Sequence, residues 1–162
     1  LFDLTVAIEV GMVLAVFLFM RRMAQLSNIE SINNQMEDME ESDDPDATSK
    51  FDIPKDVEVY EINGPLFFGA SHNFKEVMRQ LNAQPNVLIL RMRKVPMIDA
   101  TGLHHLREFV KFLQLRKTKV VLSGVNPEVR KELDSSGLTS LIGEANIKSN
   151  INEAIRRMNE LR

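Results

Sequence analysis

The distribution of apolar and polar positions divides the chain into three regimes. From Leu4 to Met20 nearly every residue is apolar, and Val10 to Met20 carries no charge. A run that is apolar all round, rather than along one stripe, suits a helix in a uniformly apolar medium. A full span takes about 20 residues, so this run, starting at the first residue, is expected to be the tail of a longer membrane segment. Arg21 and Arg22 follow at once, the flank expected on the cytoplasmic side. A signal peptide is disfavoured, because the basic pair comes after the apolar core and no small-residue cleavage site follows. Glu9, inside the run, is a candidate intramembrane polar residue that could, with Asp3, face a bundle interior.

Residues 27–50 lose apolar density. Ser27 to Glu41 carries Ile29, Ile32, Met36 and Met39 at spacing that predicts a frayed helix, and Ser42 to Lys50 is predicted to be disordered. The acids here lack the central Gly and terminal Glu of a calcium loop.

Residues 51–162 alternate between strand and helix periods. Val57–Ile62 reads as a strand, Asn63-Gly64 as a hairpin turn and Pro65–Gly69 as a second short strand. Ser71 is placed to cap a helix carrying Phe74, Val77, Met78 and Leu81, which Gln84-Pro85-Asn86 ends. Val87 to Met92, five apolar residues in six, predicts a strand buried on both faces, as parallel strands are. Pro96 then enforces extended backbone before it. Asp99 is placed as the N-cap of a helix bearing Leu103, Leu106, Phe109, Val110 and Leu113, and Gly102 permits another backbone or a partner to come close. Lys119–Ser123 is a further strand. Asn126 and Pro127 open a short helix that Gly137 ends, Ile147-Lys148 is a last short strand, and Asn150 caps a final helix. Strands interleaved with helices imply an α/β fold with a mixed or parallel sheet.

Charge sharpens the division. Residues 1–26 are neutral, 27–50 carry a net −7 and 51–162 a net +4. A mildly basic domain beside an acidic linker does not have the composition of a nucleic-acid binder. Cysteine is absent, which excludes disulfides and thiolate metal sites. His104 and His105 are adjacent on a helix and point about 100° apart, and His72 lies elsewhere, so no metal site and no catalytic residue is expected. No HExxH, GxSxG or Walker A pattern occurs. The basic residues Arg91, Arg93, Lys94, Arg107, Lys111, Arg116, Lys117 and Lys119 form a group that could meet acidic lipid, the acidic linker or an acidic protein.

The stretch Ile98-Asp99-Ala100-Thr101-Gly102-Leu103, set between a buried strand and an amphipathic helix, resembles the signature of a STAS domain. Residues 51–162 resemble that module over their whole length, and residues 1–26 resemble the last membrane helix of the SulP family of anion transporters. The resemblance implies a mixed central sheet covered by about four helices, a preceding membrane helix and an acidic linker. It implies the cytoplasmic regulatory or assembly domain of a secondary transporter of the sulfate, bicarbonate or dicarboxylate class, working by symport or exchange. The intact protein would lie in the inner (plasma) membrane, with this domain on the cytoplasmic side. Its partners would be the transporter membrane domain, a second copy in a homodimer, and acyl carrier protein or another acidic protein. No enzyme activity and no cofactor are implied. Asp99, Ala100, Thr101 and Gly102 are the candidate contact loop. In anti-sigma factor antagonists resembling this domain, the residue after the Asp is a phosphorylated Ser. Here it is Ala100, which counts against the alternative of a stand-alone partner-switch protein, although Thr101 keeps a hydroxyl one position on.

Overall fold

A computed structural model of the 162-residue chain describes residues 4–25, 28–32, 53–67, 70–81 and 84–162. The apolar N-terminal run forms one helix, α1 (Leu4–Gln25). Its stretch Leu4–Arg22 is long and apolar enough to cross a membrane, and none of it is buried against the rest of the molecule. Glu9 is exposed on it; Asp3 lies outside the described residues.

The remaining elements build one sheet and its helical cover. They are β1 (Asn28–Ser31), β2 (Val57–Asn63), α2 (Ala70–Gln80), β3 (Val87–Lys94), α3 (Ala100–Leu115), β4 (Lys119–Ser123), α4 (Pro127–Ser135), α5 (Leu138–Ile142), a 3-10 turn (Glu144–Asn146), β5 (Ile147–Lys148) and α6 (Ile151–Leu161). Strand order in space equals order in the chain. β2 to β5 are parallel, and β1 runs antiparallel on the edge. When successive right-handed crossovers step in one direction, their helices fall on one face of the sheet. Accordingly α2, α3, α4 and α5 cover one face, where Phe74, Phe109, Leu113 and Leu133 pack on Leu88, Leu90 and Leu122. The other face, Val57, Val59, Val87, Ile89 and Val121, is covered by α6 through Ile151, Ala154 and Met158. Both faces of β3 are thus buried, as its unbroken apolar run requires.

Two expectations fail, for one reason. The frayed helix over Ser27–Glu41 is, where described, the edge strand β1. Its Ile29 packs with the larger core and Ile32 with the smaller, the alternation of a strand. Pairing Ile29 with Ile62 satisfies the open edge of β2. With β1 on one side and β3 on the other, β2 has no free edge for a hairpin partner. The second strand expected at Pro65–Gly69 is therefore not formed over its described residues, 65–67: Gly64, at φ +84°, turns the chain away, and Leu66 makes an isolated parallel bridge to Ile98. Residues 33–50, including the stretch predicted to be disordered, lie outside the described residues.

Candidate functional site

The loop that leaves β3 is built from its own backbone. Val95 N–H donates to the Met92 carbonyl at 2.9 Å, folding the chain back after the strand. The segment then runs beside Leu66: Leu66 N–H donates to the Met97 carbonyl and Asp99 N–H to the Leu66 carbonyl, both at 3.1 Å. Asp99 sits in extended backbone, and its Oδ1 accepts from Gly102 N–H at 2.6 Å. It therefore caps α3, meeting one of the free donors of the first turn. The cap at Asn126, with Pro127 behind it, repeats the device on α4, and Asn150 does so on α6.

The four signature residues do different things. Asp99 is half-buried and occupied by the cap. Ala100 and Thr101 are exposed on the first turn. Gly102 is buried, and a Cβ there would stand 2.8 Å from the Leu66 carbonyl carbon and closer still to its oxygen. The close approach that Gly102 allows is therefore to the protein's own Leu66, not to a partner. Only Ala100 and Thr101, with Met97 just before them, present side chains outward.

The basic residues separate into two groups. Arg91, Arg93 and Lys94 converge on Glu61, with nearest distances of 3.6, 3.1 and 2.7 Å. Glu61 is 8% and Arg91 4% exposed, so this pair lies inside the fold, with Arg93 and Lys94 closing over it from the surface. Burial pushes the Glu61 carboxyl up, but the Lys94 hydrogen bond and the charges of Arg91, Lys94 and Arg93 outweigh it and hold the group below its ordinary value. The Ser123 hydroxyl and the Asn63 side-chain oxygen are buried at the same end of the sheet, with no hydrogen-bond partner among the described residues. The second group runs along α3 from its middle, at Arg107, to the α3–β4 turn. Arg107 donates to the Ser136 carbonyl, Lys111 pairs with Glu108, and Arg116 lies over the Phe112 ring at 5.3 Å. Lys117 does not continue the α3 face. It adopts φ +62° and closes the helix, with Thr118 N–H reaching the Leu113 carbonyl.

His104 and His105 stack edge to face on α3, with ring centroids 5.5 Å apart, and His72 is exposed on α2. Among the described residues no group of His, Asp or Glu could hold a metal ion. Sequence reasoning missed the Glu61 cluster. Its signal was Arg91: a cation inside a doubly buried strand demands an anion beside it.

Comparison with known proteins gives a consistent picture. The STAS domain family matches residues 49–154. The Bacillus subtilis protein YvdB, assigned as a sulfate transporter, is 27% identical over 145 residues, 89% of this chain and 25% of that one. The chain therefore spans about a quarter of the length of this relative. The crystal structure of a sulfate transporter family protein from Wolinella succinogenes superposes with a TM-score of 0.69 at 44% identity, covering 74% of this chain and 98% of that one. The murine Slc26a9 anion transporter, in its inward-facing state, shares the fold at 17% identity, with a TM-score of 0.72 over 94% of this chain and 25% of its own.

Proposed function

The chain belongs to the STAS domain family, and from that premise we propose that it is the C-terminal part of a SulP-like secondary anion transporter. In this reading α1 is the last membrane helix and the sheet domain is its cytoplasmic regulatory and assembly module. The observation that carries it is the order of parts: a wholly exposed apolar helix, Leu4–Arg22, runs directly into the edge strand of a domain whose 44%-identical relative is a sulfate transporter family protein. The side chains of this domain offer support and contact rather than catalysis. Ala100 and Thr101 are the outward residues of the signature loop and its contact with the transporter membrane domain or a second copy. Ala100 in place of a phosphorylatable serine argues against the partner-switch alternative, as does α1.

Uptake of labelled sulfate, bicarbonate or a dicarboxylate into vesicles holding the longer protein tests the reading. We expect one of these anions to enter, and removal of residues 51–162 to lower uptake or the amount of assembled protein. Uptake no greater than in empty vesicles for all three anions overturns it. Incubation with anti-sigma kinases and ATP should leave the mass of the chain unchanged; a stoichiometric phosphate on Thr101 would restore the alternative.

A further inference from the structure

The direction of β1 fixes which end of the domain meets the membrane. β1 is antiparallel to β2, and its first residue, Asn28, stands opposite Asn63, the last residue of β2. The chain coming from α1 therefore enters the sheet where the parallel strands end. Arg22 closes the apolar span, and Asn28 is six residues on. Six residues reach at most about 20 Å, so this end lies within about 20 Å of the point where α1 leaves the apolar layer. The opposite end, where Val57, Val87 and Lys119 begin their strands, is a further seven-residue strand away, about 20 Å.

The near end has the chemistry of an interfacial surface. Met97 is 49% exposed, one of two large apolar side chains of the domain that stand out in this way among the described residues. It follows Lys94, which is half-exposed, and Arg93. Arg93 and Lys94 pair with Glu61, and Met97 shares its cleft with Glu128, Lys131 and Glu132, so long side chains of both charges surround it. An exposed apolar side chain among long charged ones is an arrangement that settles in the headgroup layer of a bilayer. We infer that the exit of β3 lies on the membrane, with Met97 among the lipid headgroups. The α3–β4 turn, with Leu115 86% exposed, faces away.

This rests on α1 as a membrane span. The chain contains no cysteine, so Met97→Cys and Leu115→Cys each give one attachment point for a fluorophore in the full chain. Each labelled variant is reconstituted in phosphatidylcholine vesicles with about one third phosphatidylserine and a few per cent of a nitroxide-headgroup lipid. Emission at position 97 should fall by more than half, and at 115 by less than a tenth. Equal quenching, or stronger quenching at 115, overturns the orientation. If alkaline extraction strips the unlabelled chain from the vesicles, it is the membrane span that fails instead.

Discussion

Gly102→Ala tests how the signature loop is held. In an ordinary helix the exchange stabilises by about 1 kcal/mol. Here the new methyl would stand 2.8 Å from the Leu66 carbonyl carbon and 3.0 Å from Ile98 Cγ1. Leu66 cannot yield freely, because it is fixed through Met97 on one side and Asp99 on the other. Overpacking of this kind costs about 1–3 kcal/mol. Moving Leu66 loses the bond from Asp99 N–H, about 1 kcal/mol, and pulls Asp99 off the cap, about 1 kcal/mol more. After the helix gain the net loss is about 2–4 kcal/mol, which lowers a urea midpoint by about 1–2 M at a slope near 2 kcal/mol/M. Tyr60 is the sole tyrosine and tryptophan is absent. Its emission therefore follows the sheet domain even in the full chain held in mild detergent. Gly137→Ala is the control: φ is +74° but nothing lies within 4 Å, so only the left-handed backbone is penalised, about 1 kcal/mol. A Gly102→Ala midpoint at or above the parent's would mean that Leu66 does not lie on the helix start, and the account of the loop would be wrong.

Three further outcomes follow from the same geometry. Asp99→Ala should cost about 1 kcal/mol and Asp99→Asn less, because the amide oxygen can still accept from Gly102; equal losses in urea melts would place the effect in the charge. Lys117→Gly should raise stability by about 0.5–1 kcal/mol, because Lys117 holds φ +62° where glycine is unstrained; a lowered midpoint would show that the lysine side chain holds the turn. Glu61→Gln leaves three cations around a neutral group and should cost about 3 kcal/mol near neutrality. Since the folded-state carboxyl titrates below its ordinary 4.5, its contribution is complete above that pH and is lost as pH falls through the folded value. Urea midpoints of parent and variant should therefore converge in acid, and a gap that widens instead would refute the ion cluster.

Much of the fold could be read from local signals. The β3 run, the Asp99, Asn126 and Asn150 caps, and even the two-residue β5 each follow from residues close together in the chain. β1 could not be read this way. Two isoleucines three apart, in a polar stretch, fit a helix stripe as well as the two faces of a strand. Only the open edge of β2, 26 or more residues away, decides between them. The Pro65–Gly69 strand failed through the same non-local fact in reverse. In the loop, Asp99 was legible as a cap, whereas the neighbour for which Gly102 makes room was not, because nothing in the local pattern names Leu66. The Glu61 cluster was hidden because Glu58 and Glu61, three apart, fall on opposite faces of the strand, and nothing local says that Glu61 is the one enclosed with a cation.

Because strand order follows chain order, each parallel strand can join its neighbour as soon as it leaves the ribosome, and local contacts of this kind favour rapid assembly. The two faces do not close together, however. The helices on the larger face arrive between the strands, while Val57, Val59, Val87, Ile89 and Val121 wait for Ile151, Ala154 and Met158 of α6, which follows every strand. A nascent domain stalled before α6 would hold a finished sheet with one bare valine- and isoleucine-rich side, the kind of surface that recruits chaperones or self-associates. Helix α6 thus acts as the seal on biosynthesis, and a stop codon placed before Ile151 should yield insoluble protein rather than a slightly shortened domain.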